Sequence, residues 1–314
     1  MKKILILGGT GFVGRHVCEK LAGGDYRTTV LTRRRANARH LQMLPMVDVT
    51  EGSVYEPATL TALLAEHHAV VNLVAILHGN EAAFDKAHVQ LPQTLVNACH
   101  AAGQRRIIHV SSLGADLAAP SMYQRSKARG EAVLASSNLD VSVLRPSVIF
   151  GAEDKFLNTF ATLQKMLPFI PLAGSTARFQ PVWVEDVASA IVKCIADPTT
   201  VGQTFEACGP DVFTLKQLVQ LAGQYSGHDK PVIGLPDALA RIQAALMELA
   251  PGEPIMSRDN LDAMKVDNVS GGKLPGLQAL GIAASALSAV VPFYLGAKGL
   301  RSGLTAKRKT AGRF

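Results

Sequence analysis

The chain has 314 residues, 48% apolar and 18% charged, a composition that excludes a disordered protein. Six of its seven net positive charges come from Lys298, Arg301, Lys307, Arg308, Lys309 and Arg313, with no acid among the last seventeen residues, so the body carries no basic surface of the kind that reads nucleic acid. Four scattered cysteines without a C-x-x-C pair exclude a secreted disulfide scaffold and fit a cytoplasmic protein; nine histidines make no ligand pattern, and no metal is expected.

The opening "MKKILILGGTG" sets two lysines before only four apolar residues, too few for an export signal, and reads as a first strand. Strand-like runs follow at 28–31, 46–49, 69–76, 106–110 and 141–146, alternating with stretches of helical apolar spacing. Strands without polar alternation are buried on both faces, so the pattern predicts an α/β fold, a Rossmann-type doubly wound parallel sheet. Beyond residue 150 the rhythm loosens. Residues 1–150 and about 179–209 are expected to form the dinucleotide-binding domain, and 151–178 with 210–273 a smaller, mostly helical substrate lobe.

In "ILILGGTGFVGRHVCEKL" the glycines Gly8, Gly9, Gly11 and Gly14 lie between a strand and a helix. Glycines there allow a tight turn and close backbone approach, and the helix N-terminus offers free N–H groups to a pyrophosphate. About 20 residues further on, an NAD site wants an acid for the ribose 2′-OH; this chain has "LTRRR", with Arg33 and Arg34 suited to a 2′-phosphate. NADP(H) is therefore expected over NAD(H).

In "SSLGADLAAPSMYQRSK" Tyr123 and Lys127 are four apart, on a helix opened by a capping box of Ser121 and Gln124. An ammonium close to a phenol lowers its pKa toward the range of acid–base catalysis, and a serine at the end of the preceding strand can bond a reacting oxygen beside it.

These segments resemble the extended or atypical short-chain dehydrogenase/reductases: "GGTGFVGR", "NLVAI", "IIHVSS", "YQRSK" and "RPSVIFG" stand in that family's order. "FQPVWVEDVASAI", "FEACGPDVFTLKQL", "SRDNLDAMKVDNV" and "LGIAASALSAVVPFYL" resemble bacterial relatives of the nucleotide-binding accessory subunit of respiratory complex I. The resemblance implies Tyr123 as general acid/base, Lys127 on the nicotinamide ribose and Ser112 orienting the reacting oxygen. It implies Thr10, Gly11, Phe12 and Val13 at the pyrophosphate, Leu73 to Ala75 beside the ribose, and Pro146 to Val148 along the nicotinamide. Two features depart from the pattern: only eleven residues separate Ser112 from Tyr123, and Ser53 stands where many relatives have an aspartate.

Residues 274–297 carry no charge, and Leu277, Leu280, Ala284, Leu287 and Val291 recur at helical spacing before the basic end. This segment, 274–314, suits either a helix docked on the body or an apolar helix with a basic end on an anionic membrane surface or membrane complex, at the inner face of the membrane. Two functions share the expected pocket: an oxidoreductase acting on an unidentified small-molecule carbonyl or alcohol, and a non-catalytic, cofactor-stabilised accessory protein of a membrane-associated respiratory complex.

Overall fold

The structure, a computed structural model, describes residues 1–249, 252 and 254–296. It divides into two units, one of residues 1–147, 184–208 and 270–283, the other of 148–183, 209–269 and 284 onward.

In the first unit β1 (Lys2–Leu7), α1 (Phe12–Ala22), β2 (Tyr26–Thr32), β3 (Val47–Glu51), α2 (Pro57–Leu64) and β4 (Ala69–Asn72) are followed by α3 (Glu81–Asp85), α4 (Leu91–Ala102), β5 (Arg106–Val110), α5 (Met122–Ala135) and β6 (Asp140–Pro146). In the second, β7 (Ile149–Phe150), α6 (Leu157–Met166), β8 (Ile170–Leu172), β9 (Arg178–Phe179) and β10 (Val182–Trp183) come next. The chain then returns to the first unit for α7 (Val184–Ala196) and β11 (Thr204–Ala207). The second unit resumes with β12 (Phe213–Thr214), α8 (Leu215–Ser226), β13 (Val232–Gly234), α9 (Asp237–Leu249), α10 (Arg258–Ala263) and α11 (Leu287–Tyr294).

The seven-stranded sheet of the first unit has the order β11-β6-β5-β4-β1-β2-β3 and is parallel throughout. Every apolar residue of "ILIL" is fully buried, with Leu5 and Leu7 joining Leu60, Leu64, Leu91, Leu95 and Ile107 in one core. Helices α2, α4 and α5 adjoin one another in turn, and α1 lies against α7, as a doubly wound sheet requires. The order reverses between β1 and β4, the switch point outside whose carboxyl ends such sheets bind ligands.

Between α3 and α4 the helix widens to a π-turn over Lys86–Gln90, with Leu91 N–H reaching back five residues to the Lys86 carbonyl. Pro92 explains it: having no N–H, it cannot satisfy the carbonyl of His88 four residues before. That carbonyl lies so close to Gly130 of α5 that any Cβ there would collide with it.

The second unit encloses its own core of Phe150, Phe160, Ile170, Leu172, Leu218, Val219, Leu287 and Val291. Buried Asp154 accepts from the backbone N–H of Gly151 (3.1 Å) and Leu157 (2.6 Å), starting α6, and from the Tyr294 hydroxyl at 2.9 Å, tying down α11. Burial together with that carboxylate pushes the tyrosine pKa far up.

A continuous helix through the described part of 274–297 does not form. Leu277–Leu280 is a single 3-10 turn ended by Gly281 at φ +73°, and α11 spans only Leu287–Tyr294. Leu277, Leu280, Leu287 and Val291 are nevertheless all buried. No helix among the described residues is long and apolar enough to cross a membrane.

Candidate active site

The glycine turn links β1 to α1 as the sequence predicts. Gly8 has φ +84°, in the left-handed region, and a Cβ there would stand 3.1 Å from the Leu73 carbonyl carbon and the Val74 nitrogen. This close crossing explains why β4 stops at Asn72 although the apolar run continues to Ile76: beyond Asn72 the chain passes over the turn, with Leu73 N–H donating to the Leu7 carbonyl. At Gly14 a Cβ would stand 2.5 Å from both the Gly8 oxygen and Gly9 Cα, so helix and turn meet without a side chain between them. The N-cap Gly11 makes no side-chain cap and the first turn of α1 holds no acid, leaving its N–H groups and positive end to an anion. Thr10, Phe12 and Val13 are half-buried around this turn, as is Leu73; Ala75 is exposed and Pro146 is buried at the end of β6, and Val148, in the second unit, is half-buried.

At the end of β2, Arg33 and Arg34 are exposed, and no acid follows Thr32 directly. Arg33 faces Tyr55, whose pKa burial raises and the guanidinium partly lowers. The Lys86 ammonium stands 5.1 Å over the same ring, so two cations flank one phenol. Glu51 at the end of β3 accepts from the Arg35 backbone N–H at 3.1 Å.

Beyond β5 lie Ser111 and Ser112, both buried; the Ser111 hydroxyl has no hydrogen-bond partner among the described residues. The capping serine Ser121 accepts from Gln124 N–H at 3.0 Å and starts α5 where the capping box predicts, which aims Tyr123 and Lys127 along one face. Ser112 lies near enough to the Tyr123 phenol to pull its pKa down, but burial outweighs this and the phenol sits above its usual value. The expected depression by Lys127 is therefore corrected. The lysine, 2% exposed, donates instead to the Val110 carbonyl at 2.9 Å, and desolvation lowers its own pKa to about 8 against the pull of Glu131.

Four residues that the sequence did not single out complete the cluster. Ile76 N–H donates to His88 Nε2 (3.2 Å), which makes Nδ1 the protonated nitrogen; it bonds Ser126 Oγ (2.8 Å), which donates to the Tyr123 carbonyl (2.7 Å). The imidazole also meets the Tyr123 ring edge-on, with centroids 5.4 Å apart. On β5 His109 takes a hydrogen bond from the Asn72 amide at 3.2 Å. A polar residue inside the apolar runs "AVVN" and "RIIHV" was the available signal for Asn72 and His109; nothing local marked His88 or Ser126.

Residues 4–208 match the NAD dependent epimerase/dehydratase family. The chain belongs to that family. Among its relatives, it is 32% identical over 286 residues to "NADH dehydrogenase [ubiquinone] 1 alpha subcomplex subunit 9, mitochondrial" of Mus musculus, covering 88% of this chain and 75% of that protein. It is 27% identical over 246 residues to the "Ceramide reductase" of Caulobacter vibrioides, covering 78% and 77%. Among solved structures, the NADPH-dependent quinone oxidoreductase QOR2 of Escherichia coli, complexed with NADPH, superposes with a TM-score of 0.75 at 21% identity over 92% of this chain and 98% of that one. DesIV, a dTDP-glucose 4,6-dehydratase of Streptomyces venezuelae, gives 0.74 at 21% over 93% and 95%. Within this epimerase/dehydratase fold, the glycine turn with its open helix end and the buried, unpartnered Ser111 hydroxyl fit a nicotinamide dinucleotide.

A second polar group of this family member lies between α1 and α7. His16, Glu19 and Glu185 bring ligand-type atoms within 4.8 Å of one another. Both carboxylates already have cations, Arg15 at 2.8 Å from Glu19 and Lys20 at 2.7 Å from Glu185, while His16 Nδ1 lies 2.5 Å from Glu185. The group is a clamp between the two helices, and Glu185 is held down at about 2 by it.

The buried imidazoles give the fold a defined acid sensitivity. Desolvation and the Lys127 charge lower His88 to about 3 and hold His109 well below its usual value. Below pH 6.5 the unfolded chain takes up protons that these histidines refuse in the folded state, so stability falls as pH drops through that window, by up to about 1.4 kcal/mol per unit for each. Urea melts between pH 6.5 and 4.5, above the range where Glu185 titrates, should show this slope, and His88→Gln should make it shallower.

Proposed function

We propose that this protein binds NADP(H) and moves a hydride to or from a carbonyl or alcohol carbon, with Tyr123 as general acid/base. The observation that carries the reading is the cluster beyond β5, where Ser112 acts on the buried Tyr123 phenol and the buried Lys127 ammonium is held at the Val110 carbonyl that ends the strand. A bound nicotinamide supplies or accepts the hydride. Ser112 holds the reacting oxygen, and Tyr123 donates a proton to it in reduction or takes one in oxidation. Lys127, charged below about pH 8, orients the ribose. Gly8, Gly11, Gly14 and the backbone of Thr10 to Val13 hold the pyrophosphate, with Leu73, Ala75, Pro146 and Val148 along the rest of the dinucleotide.

The preference for NADP(H) rests on Arg33 and Arg34, exposed at the end of β2, and on Lys86 beside them at Tyr55. Charge-assisted bonds to a 2′-phosphate are each worth about 1.5–3 kcal/mol. Arg33→Glu with Arg34→Glu should therefore weaken NADPH at least about 10-fold while changing NADH less than about 3-fold, measured by fluorescence titration. Equal losses for both cofactors would remove the preference.

A second reading is favoured by the similarity to the mitochondrial subunit named above, which extends through 75% of its length. In it the cofactor stabilises an accessory or assembly protein of a membrane-associated respiratory complex, at the inner face of the membrane, with contact through 274–314. Residues 297–314 of that stretch lie outside the described residues. The name of the Caulobacter relative makes the keto form of a ceramide the first substrate to try, alongside quinones and sugar nucleotides.

A further inference from the structure

Helix α9 carries two apolar faces where one would suffice. Ala240 and Ala244 are buried and Met247 packs with them against Ala173 and Met256. On the other side Leu239, Ile242, Leu246 and Leu249, spaced 3, 4 and 3 residues apart, are 52, 58, 63 and 82% exposed. At 100° per residue these four fall within about a quarter of the helix circumference. The charged residues of α9 lie outside this stripe, and two of them are engaged within the unit: Arg241 bonds Asp262 at 3.0 Å, and Glu248 holds Arg258 at 2.8 Å. Ile233 before the helix and Ile255 after it are also about half exposed. Exposed large aliphatics in a single row, rather than scattered, mark a surface made to be covered.

We infer that α9 lies flat on a lipid bilayer bearing anionic headgroups, with Leu239, Ile242, Leu246 and Leu249 immersed at the acyl boundary. Charge complementarity selects this occupant, because residues 297–314 hold six cations and no acid. A helical partner fits less well: the stripe covers only the stretch from Leu239 to Leu249, about one and a half heptads, short for a coiled-coil seam. No described helix is long enough to span a bilayer, which leaves interfacial binding. The inference is independent of the cofactor reading.

Co-sedimentation of the full chain with vesicles of phosphatidylcholine alone, or with a third phosphatidylglycerol, tests it. Binding should require phosphatidylglycerol, and Ile242→Glu with Leu246→Glu should lower the bound fraction at least about tenfold without moving the melting temperature. Leu246→Trp gives a second readout that leaves the stripe apolar: its emission should shift to the blue on phosphatidylglycerol vesicles beyond the signal of native Trp183. Absence of binding, equal binding of the glutamate variant, or no shift for Leu246→Trp overturns the proposal. So does a dimer in solution that the glutamate variant turns into a monomer, since a second copy would then cover the stripe.

Discussion

Tyr123→Phe is expected to lower kcat for carbonyl reduction by about 10²–10⁴-fold, the usual contribution of a positioned general acid, while NADPH affinity changes less than about 3-fold. The substitution removes one oxygen. The ring keeps its edge-on contacts with Phe84 and His88, at centroid distances of 6.0 and 5.4 Å, and the bond from the Ser126 hydroxyl to the residue 123 carbonyl is unaffected. A fold or binding defect is therefore not expected, and the loss should appear in kcat rather than KM. Steady-state NADPH oxidation, with binding followed separately by fluorescence, checks both halves. A variant that turns over as well as the parent would take the proton-transfer role away from Tyr123.

Gly14→Ala is expected to weaken dinucleotide binding at least about 100-fold and to destabilise the fold by about 1–3 kcal/mol, the usual cost of an unaccommodated methyl group. The added Cβ would stand 2.5 Å from the Gly8 oxygen and Gly9 Cα, and the turn has no room to retreat, because Gly8 is itself pressed against the backbone of Leu73 and Val74. Any relief must displace the α1 N-terminus from the place where it meets a pyrophosphate. Gly23→Ala is the control. It follows the same helix at φ −82°, and its Cβ would find nothing nearer than the Lys20 carbonyl at 3.6 Å, so binding and stability should hardly change. Thermal melts with and without NADPH on both variants separate the two effects.

The parallel sheet was legible because several of its strands are short apolar runs without polar alternation, such as "ILIL", which two-sided burial explains. The glycine turn and the Tyr123/Lys127 pair were legible for a different reason: each is contiguous or one helical turn apart, so local geometry brings its members together. The hydrogen-bonded histidines were not. His88, His109 and Asn72 come from three elements and reach one place only through the order of β4 and β5 and the π-turn that Pro92 imposes. The shift of the Tyr123 phenol was expected in the wrong direction because spacing reveals a neighbouring ammonium but not burial, and here burial dominates while Lys127 turns to the Val110 carbonyl. The segment after 274 misled in a similar way. Its spacing of leucines suited one helix, but Gly281 in the left-handed region ends the first turn and α11 begins only at Leu287.

The most direct test of the central claim is NADPH consumption by the purified wild-type protein over a panel of keto-ceramides, quinones and sugar nucleotides. The account predicts saturable oxidation with at least one carbonyl substrate. Tight NADPH binding, with a large rise in melting temperature and no consumption across the panel, would contradict it and leave the bound dinucleotide as a structural element of an accessory protein.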